Sequence, residues 1–131
     1  MHISMKGIRL PLVLLLGTVA SCNLVTGDRA CTADFRYGLA VGVRDSATDA
    51  AIASGATLIT VDQKGSTDSV SFPLNRADLD PLSLPGAGEH AGTFLVTVRK
   101  TGYRDWVRSG VRVTSDECHV RLTSLTALLQ R

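Results

Sequence analysis

Few side chains in this chain could carry chemistry. Its 131 residues include three cysteines, Cys22, Cys31 and Cys118, and three histidines, of which only His90 and His119 lie beyond the extreme N-terminus. A zinc centre would need both of these imidazoles and an acid such as Glu89 or Glu117, and no Cys-x-x-Cys spacing is present to supply thiolates. Nucleophilic or phosphate chemistry is no better served, because there is neither a Gly-x-Ser-x-Gly turn nor a Gly-x-x-x-x-Gly-Lys loop. His90 reads as a solvated loop residue, and His119, beside Cys118 where an alternating run begins, as an outward-facing strand residue. No metal and no cofactor are expected, and a small metal-dependent enzyme using His90 and His119 is the lesser alternative. For binding there is one tryptophan, Trp106, either a half-buried sheet residue or a platform on which a sugar ring stacks. Arg104, Arg108 and Arg112 share a parity and would line one surface of a strand.

The N-terminus has a separate organisation. Residues 1–9 carry Lys6 and Arg9 and no acid, and residues 10–20 are almost wholly apolar. An apolar helix of that length spans roughly 16 Å at about 1.5 Å per residue, against about 30 Å for a bilayer core, so it is too short to cross as an ordinary transmembrane helix. A basic start, a short apolar run and small residues at its end describe a secretory signal.

The four residues at the end of that stretch, Val19-Ala20-Ser21-Cys22, resemble the lipobox of bacterial lipoprotein precursors. The resemblance implies cleavage before Cys22 and acylation of the new N-terminus with diacylglycerol and palmitate-type chains. One acyl chain binds a membrane only marginally, whereas several hold firmly. Asn23, in place of the aspartate that often retains such proteins at the inner membrane, favours the outer membrane if the cell has one. The expected organisation is a signal peptide over residues 1–21, a tether over 22–30 and one domain over 31–131.

Cleavage removes 21 residues with two cations and no acids, leaving 110 residues with 12 Lys and Arg against 12 Asp and Glu. A neutral domain lacks the basic excess that nucleic-acid binding needs, so no nucleic-acid partner is expected. With Cys22 acylated, Cys31 and Cys118 remain, and outside the cytoplasm they are expected to oxidise to a disulfide if they meet. Otherwise they are two unpaired thiols on separate faces.

The rest of the chain is patterned for strands. Phe35, Tyr37, Leu39, Val41 and Val43 occupy alternate positions, which reads as a strand with one buried face. Further strands are expected over residues 56–62, 69–72 and 92–99, around Trp106, Val111 and Val113 with a bulge at Gly110, and over 118–129 with Val120 and Leu122 inward. Residues 73–90, with three prolines, Gly86 and Gly88, read as a long irregular loop holding one helical turn at 75–80. Short strands at such spacing predict an all-β fold, a single antiparallel β-sandwich of about seven strands.

The stretches LAVGVRDSATDAAIASGATLITV, GTFLVTVRKTGYRDW and VRVTSDECHVRL resemble a carboxypeptidase-regulatory-like domain of the transthyretin-like (prealbumin-like, Ig-like) type. The best-matched element is Lys100-x-Gly102-Tyr103 between two strands. It implies a turn glycine with positive φ and a tyrosine that buries its ring while its hydroxyl bonds back to the chain. Asp49-Ala50 departs from the resemblance, since the relatives usually place a glycine in the first hairpin turn. Two enzyme families with a similar sandwich are set aside. Intradiol dioxygenases need a His-x-His spacing, and hydroxyisourate hydrolases end in a Tyr-Arg-Gly-Ser type tail, and the chain has neither. The expected role is a non-catalytic structural or binding module, lipid-anchored to the cell envelope outside the cytoplasm and directed at an envelope protein or a glycan, with a carbohydrate-binding module using Trp106 as the alternative.

Overall fold

The computed structural model describes residues 30–71 and 83–131. These residues form seven strands: β1 (Tyr37–Asp45), β2 (Ala56–Asp62), β3 (Thr67–Ser71), β4 (Ser83–Gly88), β5 (Gly92–Lys100), β6 (Trp106–Val113) and β7 (Thr123–Leu129). A three-stranded sheet has the order β4-β1-β7, and a four-stranded sheet has the order β3-β2-β5-β6. The protein is therefore the expected β-sandwich. Alternation selects the faces. Leu39, Val41 and Val43 of β1 meet Leu58 of β2 and Phe94, Val96 and Val98 of β5 in one buried cluster, closed by Leu84, Val111, Val113, Ala127 and Leu129. The core is the favourable side of the folding balance, since apolar burial contributes roughly 25 cal/mol per Å².

The sandwich is not purely antiparallel. β7 runs parallel to β1, from Leu39↔Thr123 to Asp45↔Leu129. Period-two alternation is the same for either direction, so the pattern that identified both strands carried no information about how they pair.

β4 corrects the reading of residues 73–90 as an irregular loop. Leu84 and Pro85 are fully buried, and β4 pairs antiparallel with β1 through Ala40↔Pro85 and Val41↔Leu84. Pro85 is tolerated because β4 is an edge strand and need not donate on both sides. Gly86 is required by close approach, since a Cβ there would lie 3.0 Å from Leu58 Cδ2. The residues that looked like loop punctuation are thus the small groups that let β4 press onto the opposite sheet. The helical turn expected at 75–80 lies outside the described residues.

The last strand is shorter than expected. Residues 114–122 form a loop before β7, organised by Asp116, whose Oδ1 accepts the N–H groups of Cys118 and His119 at 2.9 Å each. Val120 is buried as expected, but Leu122 is 62% exposed. In β7 the odd positions turn inward, Ala127 and Leu129 among them, so Leu122, one residue ahead of the strand, faces out with the even ones.

Turn chemistry matches the sequence in three places. Gly65 and Gly102 take positive φ in their turns, and Asp49 stands in the left-handed region at φ 57°. Asp49 is where the glycine of the resembled family was missing, and aspartate is one of the few side chains that tolerates this conformation.

Candidate functional site

Two clusters of polar side chains mark the two ends of the sandwich. The first lies where β1 begins and β4 ends. Cys31, ahead of β1, is disulfide-bonded to Cys118 in the β6–β7 loop, with Cα atoms 5.2 Å apart. The bridge brings Thr32 to His119, with Oγ1 and Nε2 3.1 Å apart. His119 Nδ1 lies 2.9 Å from Glu89 Oε1. Because a carboxylate only accepts, Nδ1 carries the proton of that bond. Glu89 Oε1 also accepts the Arg36 N–H at 2.6 Å, and the Glu89 N–H donates to the Arg36 carbonyl at 2.9 Å. Burial pushes the Glu89 carboxyl up, but the His119 ring and the Arg36 N–H together outweigh it and hold the group below its ordinary value.

His119 is therefore not the outward-facing strand residue expected from the sequence. Its side chain is 11% exposed and sits in a loop, turned inward by the Asp116 turn and held by Glu89. His90 is half-exposed, as a loop residue should be, but it is not free of the fold. Its Nε2 lies 3.4 Å from Asp62 Oδ2, and its ring stands edge-on to Phe94. The two imidazoles thus face different carboxylates, and among the described residues no group of three metal-ligating side chains comes together.

Thr32, His119 and Glu89 have the connectivity of a nucleophile, a base and an orienting acid. Thr32, however, lies on an exposed segment outside any strand, which is a poor platform for the positioning a nucleophile needs. The arrangement works as a latch that fastens the segment preceding β1 to the β4–β5 turn and the β6–β7 loop. Clefts of about 250 and 750 Å³ open around it, both lined by Asp116, Glu117, Cys118 and His119, with Arg36 and Arg121 bordering the larger.

The second cluster occupies the opposite end. The Tyr103 hydroxyl donates to Asp45 Oδ2 at 2.8 Å and accepts from Arg131 Nε and Nη2 at 3.3 and 3.2 Å. Asp45 Oδ1 accepts the N–H groups of Ala47 and Thr48. Tyr103 does bond back to the fold, but to a carboxylate and not to the main chain. The Tyr103 hydroxyl first, then the two N–H donors, lower the Asp45 carboxyl to about 2. A depressed folded-state value stabilises above the ordinary carboxylate pKa, near 3.8, and that stabilisation is lost as pH falls through about 2. Tyr103→Phe is accordingly expected to be less stable than the native chain above pH 4, with the difference narrowing toward pH 2. Urea unfolding across that range measures it, and a difference independent of pH would show that the hydroxyl does not act through the Asp45 charge.

The sequence-derived binding residues do not form one site. Trp106 is half-buried against the core, pairing with Val98 on the inner side of its sheet. Arg108 pairs with buried Val96, whereas Arg112 pairs with Thr93, whose side chain points the other way from buried Phe94. Cross-strand partners share a face, so the expected arginine row is divided between two faces. The cause is a bulge at Ser109 and Gly110, with Gly110 at φ 69°, which inserts one extra residue and inverts the parity of β6. Arg104 lies in the turn before β6, its N–H donating to the Gln130 carbonyl. Cys22 lies outside the described residues.

The fold and its ends define the class: a seven-stranded, two-sheet β-sandwich with one disulfide fastening its N-terminal segment. Comparison of the chain with known protein families, curated proteins and solved structures found no match.

Proposed function

We propose that the chain is a lipid-anchored, extracytoplasmic β-sandwich module with a non-catalytic structural or binding role in the cell envelope, toward an envelope protein or a glycan. The observation that carries this reading is the division of the three sulfurs. Cys31 and Cys118 are consumed by one disulfide, a bond that persists in oxidising compartments. Cys22 is left as the odd thiol directly behind a basic start and an apolar run of signal length. The carboxypeptidase-regulatory-like resemblance fits a sandwich whose glycine turns are architectural and whose polar clusters are tied up in holding its two ends.

Intact mass and thiol counting on protein extracted from membranes tests the reading in one measurement. The expected product lacks residues 1–21, carries acyl mass on Cys22 and has no free thiol. Cys22→Ser is expected to leave the membrane fraction or to accumulate as the uncut precursor. A Cys22→Ser chain as membrane-bound and as short as the native one would overturn the reading.

A further inference from the structure

We propose that the disulfide end of the sandwich rests on the bilayer surface through Phe35 and Leu122, with Arg36 and Arg121 reaching the lipid phosphates. This rests on the lipid-anchor reading and adds an orientation to it. Phe35 is 54% and Leu122 62% exposed, the largest such values for apolar side chains at this end. They are not scattered. Both line one recess of about 440 Å³ together with Arg36, Tyr37, Val120 and Arg121. The Phe35 ring stands edge-on to Tyr37 at 5.1 Å and lies so close over Gly88 that a Cβ there would clash with it. The ring is therefore braced from below while its outer face stays open.

Each exposed apolar residue has an arginine as its chain neighbour, Phe35-Arg36 and Arg121-Leu122. Apolar bodies flanked by guanidinium groups suit the boundary between headgroups and acyl chains, where one part is dry and the other wet. Asp116 also lines this recess as a carboxylate held ionised by the N–H groups of Cys118 and His119 and by Arg121, so Arg121 serves it as well as the lipid and Arg36 is the cation with the freer charge.

The length of chain ahead of the domain selects the occupant. Between acylated Cys22 and Cys31 lie eight residues, 23–30, which reach at most about 28 Å fully extended. Their far end is pinned by the Cys31–Cys118 bridge to this end of the sandwich and no other. A nine-residue strand such as β1 is itself about 30 Å long. The end carrying Phe35 and Leu122 is thus the one the tether keeps nearest the lipid, and once it is seated there the end carrying Tyr103 and Trp106 points away.

Trp106, the only tryptophan, makes the orientation measurable. The acylated full protein is placed in phosphatidylethanolamine–phosphatidylglycerol vesicles whose acyl chains carry bromine, a short-range fluorescence quencher. Native Trp106 is expected to keep its emission. In a Trp106→Phe, Leu122→Trp chain, the tryptophan at position 122 is expected to lose roughly half or more of its emission, as a side chain seated about 5–10 Å into the interface would. Equal quenching at the two positions overturns the orientation, and so does quenching of native Trp106, a readout that needs no variant to fold. A blue-shifted but unquenched emission at position 122 means that a second copy of the chain covers the recess, and also overturns it. Protein that floats with vesicles but shows either result leaves the anchor standing. Protein that neither floats nor carries acyl mass overturns the anchor and the orientation together.

Discussion

Replacing Cys31 and Cys118 together by serine is expected to destabilise the domain by about 2–5 kcal/mol. The bridge closes a separation of 87 residues, and in the chain-entropy account a loop so long removes roughly 4 kcal/mol of freedom from the unfolded ensemble. Small domains have about 5–15 kcal/mol in total, so a large fraction of the stability rides on one bond. The local consequence is as specific as the global one. Cys31 stands one residue before Thr32 and Cys118 one before His119, and those neighbours are joined at 3.1 Å. Without the bridge, the segment preceding β1 is left to weaker ties, the Thr32–His119 contact, the Arg36–Glu89 bonds and the packing of Phe35 on Tyr37 and Gly88. Urea unfolding of the double variant, extrapolated to water, checks the magnitude. A loss under about 1 kcal/mol would mean that the hydrogen-bonded latch holds this segment by itself and the disulfide is redundant.

The Cys31–Cys118 bridge was half-legible: setting Cys22 aside as the lipid-bearing residue of the resembled lipobox leaves two cysteines, which either pair or stay apart as thiols, and the fold decides for pairing. β1, β2 and β5 were legible for a different reason. Each alternates over seven residues or more, and each lies inside its sheet with neighbours on both sides. A strand of that kind has every side chain decided by one question, core or surface, and the pattern answers it.

The rest was hidden by effects that act between distant residues. β4 was lost because Pro85 and Gly86 are acceptable only at an edge pressed close to Leu58, and neither the edge nor Leu58 is visible from positions 83–88. The arginine row failed at one bulged residue, since a single insertion inverts every side chain beyond it. Gly110 was a visible warning of the bulge, but its effect on Arg108 and Arg112 depended on knowing where β5 shifts register. His119 was misplaced because the strand expected over 118–129 begins only at Thr123, leaving His119 in the loop that Asp116 organises. Ser115-Asp116-Glu117 is a legible turn, but no local pattern shows that the loop continues past His119 to residue 122. The partner of His119, Glu89, is 30 residues away and belongs to a turn with φ 46° that no sequence pattern announces.

The strand that the sequence concealed supplies the other large effect. Leu84→Ala is expected to cost about 2–5 kcal/mol, the range for a fully buried leucine whose cavity cannot collapse. Leu84 has no exposed surface, pairs with Val41 and belongs to the same buried cluster as Leu39 and Leu58. Its neighbours cannot move in to fill the space, because Val41 and Leu39 are fixed by β7 on the other side of β1 and Leu58 by β3 and β5. Leu122→Ala is the matched control. It removes the same atoms from a side chain that is mostly in solvent, and is expected to change stability by no more than about 0.5 kcal/mol. Both are read from urea midpoints, with an unchanged slope showing that the surface exposed on unfolding is the same. If the two substitutions cost equal amounts, residues 83–88 are the loop that Pro85, Gly86 and Gly88 suggest, and the three-stranded sheet loses one of its outer members. If only Leu84 matters, an edge strand built from Pro and Gly seals this core, and its cost to the sequence is a set of small residues that look like loop.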